Sequence, residues 1–432
     1  MRPDRGHVPG PDRRAGLGRG RDRAPQAPLH EGAGERGPGA RGRRRRPPRA
    51  ARGRAAGPDR DPARLPLPPA LPQALRALRQ RRPVADARRR PRPARGLPAA
   101  RPGAVLRGEG RGRRLSAVAG RWRDIAGAVG PGAPGERNAI TDVPGVLVGH
   151  SQAASGERTG VTVVAPPALP APAGRAVING AGELTSSYEI SEQGKIETPV
   201  YLCGTHALGT VYQAAIEASG RGPDDVVIPT VGECDDGDMA DSRTVEAGDV
   251  EAARAALGPD VAEGSAGAGT GMTCFGYPGG IGTASRRAGE HHVGVLLLCN
   301  FGDRDHLDVP GLEPAPLRER RPDRGSCISV CATDAPLSPL QLRRLALRPL
   351  LGLARVGSYA AEGSGEIGLA FSTTTTAGFA DSGLDPLFAA AYESAREAVY
   401  NCLVTAEPAA RLDGERQEAF PTDRIRRAAE GA

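Results

Sequence analysis

From Ile140 onward, short β-branched or apolar runs alternate with longer stretches in which apolar residues recur at helical spacing. Val143 to His150 reads as a turn leading into a short strand, and Gly160 to Val164 as a strand. Asp225 to Pro229 and His292 to Leu298 are apolar runs of the kind that fill buried strands. Leu208 to Ala218 and Val250 to Leu257 fit helices. Ser326 to Thr333, built of small, Cys and β-branched residues, predicts another strand, and Glu366 to Thr373 a further one. Leu340 to Ala354 predicts a helix that Pro349 should kink or end early, since proline removes an N–H and crowds the preceding turn. The last helix carries Asp385 as N-cap, Pro386 in its first turn and an apolar stripe of Phe388, Tyr392, Ala395, Val399 and Leu403. A glycine-rich stretch runs from Gly264 to Gly282. Gly311 to Arg324 is rich in Pro and Arg without periodicity, as expected of a mobile surface loop. Strands grouped with helices on both sides, with no internal repeat, imply a layered α+β sandwich.

The first 117 residues break this pattern. They contain no aromatic residue, almost no apolar periodicity and runs such as Arg43-Arg44-Arg45-Arg46-Pro47-Pro48. Such a segment buries too little surface to offset its ordering entropy, so 1–117 is expected to be a disordered extension and 118–432 the folded domain. Charge divides at the same place: the first 120 residues hold about 32 Arg against about 9 acids, and the rest of the chain is net acidic. The net charge of +8 is therefore a property of the extension and not of the folded part. A basic arm of this kind is attracted to nucleic acid through phosphate charge. Against that, no aromatics interleave the basic residues as a single-strand binder requires. Lys195 is the only lysine, as a very GC-rich coding sequence would give, and upstream DNA of that composition read from an early start codon would look the same. Nucleic acid is accordingly not the expected partner.

No apolar run reaches the roughly 18 residues of a membrane span, and Leu65 to Leu78, broken by prolines, is no signal-peptide core. The seven cysteines (203, 234, 274, 299, 327, 331 and 402) form no CxxC pair, and several sit in apolar runs. This fits reduced, buried thiols in a cytoplasmic protein and indicates no metal or cofactor site. His150, His206, His291, His292 and His306 lack ligand-like neighbours and are expected to pack or to lie at the surface. The Gly264 to Gly282 stretch lacks the Lys-Ser/Thr ending of a phosphate cradle and is expected to be a structural loop lining a site.

Three features could carry chemistry. In Arg324-Gly325-Ser326-Cys327-Ile328 the loop ends abruptly at a serine that opens a strand. Gly363-Ser364-Gly365-Glu366 stands at another strand start. Leu298-Cys299-Asn300-Phe301-Gly302 puts an asparagine at the end of a buried strand. Taken residue by residue, each is equally a turn or a strand cap.

Their order along the chain is more specific. The blocks are Asn138-Ala139-Ile140-Thr141-Asp142-Val143-Pro144-Gly145-Val146, then Thr205-His206-Ala207-Leu208-Gly209, and Glu263-Gly264 through Gly267-Ala268-Gly269-Thr270-Gly271-Met272. They continue with Gly279-Gly280-Ile281-Gly282-Thr283, Ala332-Thr333-Asp334-Ala335-Pro336-Leu337, Gly357-Ser358-Tyr359 and Gly363-Ser364-Gly365-Glu366. From about Asn138 to Ala406 this text resembles the P1 or S58 peptidases, the serine peptidase family of DmpA and the β-peptidyl aminopeptidases. The resemblance implies an αββα sandwich made as a precursor that cuts itself between Gly325 and Ser326, freeing Ser326 as nucleophile. Gly325 offers no side chain against attack by the Ser326 hydroxyl, and the new α-amino group, with an ordinary pKa of about 7.7 to 8, can act as a base near neutral pH. By resemblance, Ser364 would hydrogen-bond the Ser326 Oγ, Glu366 would hold an α-ammonium, and Asn300 would supply an oxyanion donor. Asp235, in Glu233-Cys234-Asp235-Asp236-Gly237, stands where parts of the family carry an aromatic residue, and would either favour a cationic substrate amine or alter which substrates enter. The implied activity is an aminopeptidase, amidase or esterase acting on short peptides or amides with a free amine, without metal or cofactor. The implied assembly is a homo-oligomer, a tetramer of cleaved α and β chains. Two alternatives accompany it: an acyltransferase on the same fold, like ornithine acetyltransferase, whose nucleophile is threonine, and a non-catalytic binding homologue.

Overall fold

The structure is a computed structural model that describes residues 120–313 and 325–431, all within the unit running from Arg107 to Ala432. The expected extension 1–117 and most of the Gly311 to Arg324 loop lie outside the described residues. The elements begin with helix α1 (Trp122–Ala126), followed by strands β1 (Leu147–Gln152), β2 (Gly160–Ala165) and β3 (Ala171–Gly180). Helix α2 (Ser187–Gln193), β4 (Lys195–Ile196), β5 (Val200–Gly204), helix α3 (Leu208–Ser219), β6 (Thr230–Cys234) and helix α4 (Ala247–Ala255) come next. The short β7 (Thr273–Cys274) and β8 (Tyr277–Pro278) precede the long β9 (Gly280–Ala288) and β10 (His291–Asn300). After Gly325 come β11 (Ser326–Thr333), helix α5 (Pro339–Arg355), β12 (Gly365–Ser372), helix α6 (Leu384–Thr405) and helix α7 (Thr422–Glu430).

Two sheets form the middle of the molecule, one in the order β1-β2-β5-β6 and one in the order β4-β3-β12-β11-β10-β9. Side chains alternate across a strand, so each strand divides its residues between two cores. On β10, Leu296 and Leu298 point between the sheets and meet Val148, Val164 and Leu202. Val295, Leu297 and Cys299 point the other way, against Leu342 and Leu345 of α5 and Val399 and Cys402 of α6. On the far side, Val161, Val163, Tyr201 and Val231 pack against Val211 of α3 and Val250 of α4. Helix, sheet, sheet, helix: this is the αββα sandwich of the α+β class. Strands with both faces covered read as unbroken apolar runs, which is why β10 and β11 are legible in the sequence. Gly282 of β9 shows how tightly α6 lies on the sheet, since a Cβ there would come within 1.9 Å of the Ala398 carbonyl. Beside that contact the fully buried Arg286 of β9 pairs with Glu397 (2.6 Å) and Glu393 (3.2 Å) of α6, so the buried charges compensate one another.

Three expectations about elements are corrected. Asp225 to Pro229 is not a buried strand: Val226 is 75% exposed and Ile228 39% exposed, and the strand starts at Thr230, just past Pro229, which has no N–H for a ladder bond. Helix α5 does not stop at Pro349 but runs through it for 17 residues from its Ser338 N-cap. Pro349 lies on the buried face with Leu342, Leu345, Leu350 and Leu353. At about 1.5–3 kcal/mol for each buried leucine, that face outweighs a proline cost of about 3 kcal/mol. Helix α6 is capped by Gly383, so Asp385 sits inside the first turn, where its charge still favours the helix N-terminus.

Candidate active site

Three strand ends meet at one edge of the six-stranded sheet. Ser326 opens β11, Asn300 closes β10 directly opposite it, and Gly365 opens β12 on the other side. By alternation Ser326 shares a face with Ile328 and Val330, and Asn300 with Leu296 and Leu298. Both side chains therefore face the gap between the sheets, where the apolar core ends and a cavity of about 860 Å³ begins. The cavity walls include Ser326, Asn300, Gly182, Thr205, Glu233 and Asp235.

Asn300 is held at both ends of its amide. Its Oδ1 accepts from the Thr273 N–H at 2.8 Å, and its Nδ2 donates to the Asp235 carbonyl at 2.8 Å. This fixes which end is nitrogen and leaves the second Nδ2 hydrogen for another acceptor. The Gly325 carbonyl, at the peptide bond preceding Ser326, accepts from the Gly365 N–H at 3.2 Å. The Ser326 Oγ donates to the Ala181 carbonyl at 3.4 Å.

Ser364 and Glu366 form a pair of their own. The Ser364 hydroxyl donates to Glu366 Oε1 at 2.6 Å and the Ser358 hydroxyl reaches the same oxygen at 3.3 Å. Glu366 stands opposite Cys327, one residue beyond Ser326, and both Ser364 and Glu366 are buried. The expected bond from Ser364 to the Ser326 oxygen is not the one the chain makes. Two residues apart on an extended segment, Ser364 and Glu366 point to the same face and satisfy each other first.

Glu233, near the end of β6, is the cavity residue that sequence reasoning passed over. It is buried, with Oε1 accepting from the Glu183 N–H at 2.8 Å and Oε2 from the Thr205 hydroxyl. Burial raises its carboxyl above the usual carboxylate range, and these two hydrogen bonds pull it only part of the way back. Gly182 separates it from Ser326: a Cβ there would lie 3.4 Å from Glu233 Oε1 and 3.5 Å from Ser326 Oγ. Both oxygens thus border one small open space. Asp235, named from the sequence, is exposed, and its Oδ1 accepts from the Gly237 N–H at 2.9 Å. Its firmest link to the site is the carbonyl that holds Asn300.

The glycine-rich stretch mostly packs inside, as a tight turn at Gly267–Gly271 against β1 and β2, and reaches the cavity only through Thr273 and Gly276. Among the histidines of the described residues only His206 lines the cavity. Burial lowers His150 to about 4, while His291 and His292 lie beside Asp334. All seven cysteines are free and buried. Asp303, Asp305 and His306 bring potential ligand atoms within 4.8 Å of one another, but the Tyr359 hydroxyl donates to Asp303 at 2.6 Å, and His306 stacks edge-on against the Tyr359 ring. No helix among the described residues is long and apolar enough to cross a membrane.

A serine at the first position of an inner strand of an αββα sandwich, facing an amide fixed at both ends, is an arrangement suited to hydrolysis. Residues 138–417 match Peptidase family S58, and the chain belongs to that family as a peptidase. It is 37% identical to the beta-peptidyl aminopeptidase BapA of Sphingosinicella microcystinivorans, over 72% of this chain and 92% of that one. Among solved structures it is similar to a Burkholderia beta-aminopeptidase (38% identity, TM-score 0.64, 72% of this chain and 98% of that one). It is also similar to the L-aminopeptidase D-Ala-esterase/amidase of Ochrobactrum anthropi, described as a variant of the Ntn hydrolase fold (33% identity, TM-score 0.63, 72% and 98%). The PH0078 protein of Pyrococcus horikoshii matches at 35% identity and a TM-score of 0.66, over 71% and 98%.

Proposed function

We propose that the chain is a self-cleaving serine aminopeptidase in which Ser326, freed by a cut after Gly325, is the nucleophile. The observation that carries the reading is the position of Ser326: first residue of β11, opposite Asn300, with an open space at Gly182 between its oxygen and Glu233. In the first reaction the Ser326 Oγ attacks the Gly325 carbonyl carbon. The C–N bond breaks, the nitrogen takes the hydroxyl proton, and the resulting ester is hydrolysed by water to leave a Gly325 carboxylate and a Ser326 α-amine. The ladder bond from the Gly365 N–H to the Gly325 carbonyl supports this step by polarising that carbonyl.

In the second reaction the same hydroxyl, with its proton drawn by the α-amine, attacks the first peptide or amide carbonyl of a substrate. The α-ammonium passes that proton to the leaving amine as the C–N bond breaks, and water then hydrolyses the Ser326 ester, releasing the N-terminal residue as its free acid and restoring the hydroxyl. The second Nδ2 hydrogen of Asn300 stabilises the oxyanion, a contribution of about 3–4 kcal/mol where such donors are removed in other enzymes. Glu366, aligned by Ser364 and Ser358, holds the Ser326 α-ammonium. Glu233 takes the substrate's free amine: its burial makes an unpaired charge costly, and an arriving ammonium relieves that cost. Asp235 adds negative charge at the mouth.

The substrate is therefore a short peptide or related amide with a free N-terminal amine, in line with the activities in the relatives' names. Its free, buried thiols suit a reducing cytoplasm, and the cut chains assemble as a homo-oligomer. The test is intact mass and a denaturing gel of wild type beside Ser326→Ala. Two pieces in wild type, the smaller starting at Ser326, and one uncut chain in the variant are expected. A single chain in both would remove the self-cleaving nucleophile.

A further inference from the structure

The cavity is lined by two arginines that the reaction as described does not use. Arg411 and Arg416 share it with Glu233 and Asp235 and also with Asp238, Asp303, Glu415 and Glu418, of which Glu418 is paired with Arg304 at 2.5 Å. Both arginines come from one turn near the C-terminus. Ala410 bridges to Arg416, the Arg411 N–H donates to the Glu415 carbonyl at 2.7 Å, and the Gln417 N–H donates to the Ala409 carbonyl at 2.9 Å.

This turn is fastened to the same framework as the reacting groups. The Leu412 N–H donates to the Asp238 carbonyl at 3.0 Å. The Gln417 side chain donates to the Thr273 hydroxyl at 3.1 Å, and the Thr273 N–H is the donor that fixes Asn300. The position of the turn is thereby tied to that of the amide donor. The two arginines differ. Arg411 is 13% exposed and faces Asp238 at 3.4 Å, so its charge is largely answered. Arg416 is exposed and has no carboxylate within ion-pair distance among the described residues. An uncompensated guanidinium lining the cavity is a fork with five donors suited to a planar anion.

We infer that Arg416, with Arg411 behind it, binds the C-terminal carboxylate of the substrate, so that the enzyme selects zwitterionic di- and tripeptides over their amides. The inference rests on the aminopeptidase reading, which puts the substrate amine at Glu233. Two or three extended residues span at most roughly 7–11 Å, and Glu233 and Arg416 line the same cavity of about 860 Å³.

The experiment measures kcat/KM for a dipeptide and for its C-terminal amide, in an L-alanyl and a β-alanyl series, on the purified full chain. Wild type should favour the free acid over the amide by roughly fivefold, the factor a partly solvated ion pair supplies. The preference should reside in KM and shrink as salt screens the pair. In Arg416→Ala the acid-to-amide ratio should fall to about one, in Arg416→Glu it should invert, and Arg416→Lys should restore part of it. A wild-type ratio of one, or a ratio unmoved by both Arg416→Ala and Arg416→Glu, overturns the inference while leaving the aminopeptidase intact. No hydrolysis of any of the four substrates would instead remove the aminopeptidase reading, and this inference with it.

Discussion

The two sheets arrive at the same cavity with different degrees of support. On the six-stranded side Ser326 and Asn300 end strands flanked by other strands, with α5 and α6 packed behind them. On the four-stranded side Glu233 is the penultimate residue of β6, an outer strand of its sheet, and Asp235 lies just past the strand in exposed loop. In the proposed mechanism, the groups that must meet a reacting atom within tenths of an ångström are those that neighbours on every side fix. The groups proposed to recognise charge, whose pull falls off gently with distance, are those at a sheet edge and on loops. Changes on the first side should therefore abolish turnover or stability, and changes on the second should alter affinity and pH response.

The largest effect should come from Ser326→Ala: no cut, and loss of peptide hydrolysis by about 10⁴-fold or more. Asn300→Ala should retain the fold and lower kcat by about 10²–10³-fold. Residual activity within threefold of wild type would show that the oxyanion is held elsewhere. Behind these residues, Leu298→Ala should lower unfolding free energy by about 2–5 kcal/mol in a denaturant titration, because the cavity it leaves lies between two sheets. Glu233→Gln should act mainly on KM, raising it roughly tenfold. It should also change the pH profile. The carboxylate must be charged to hold an ammonium, and burial raises its pKa. Wild-type kcat/KM should therefore rise with pH through a limb above the ordinary carboxylate value of about 4.3, and the variant should lack that limb. The smallest effect is expected at Val226→Ser, on the exposed segment before β6, within about 0.5 kcal/mol of wild-type stability.

These contrasts also explain what could be read in advance. β11 was legible residue for residue because an Arg- and Pro-rich segment gives way at Ser326 to a run buried on both faces. The family resemblance brought Ser326 and Asn300 forward, and the structure sets them opposite one another. Glu233 was not legible: in Thr230-Val231-Gly232-Glu233-Cys234 nothing local separates it from an ordinary strand-end acid. Its standing comes from Gly182 and Thr205, brought to it by other segments. Asp235 drew notice by departing from the family pattern, although its side chain is exposed. The Ser364–Glu366 pairing could have been foreseen from their spacing of two. The apolar run Asp225 to Pro229 misled because hydrophobicity alone does not make a strand: the segment stays outside the sheet, with Val226 and Ile228 exposed, and pairing begins only past Pro229.

The order of the six-stranded sheet bears on what a cut at Gly325 does to the molecule's history. β12 and β11 would belong to the second piece, yet they lie between β3 on one side and β10 on the other, both from the first. The pieces would be interleaved rather than docked, and neither could leave without dismantling the sheet. Before the cut, folding is a first-order process of one chain. After it, recovery from denaturant would require two chains to find each other, and would slow on dilution. The mature enzyme would thus be a product of its synthesis, persistent once made and poorly recovered once lost.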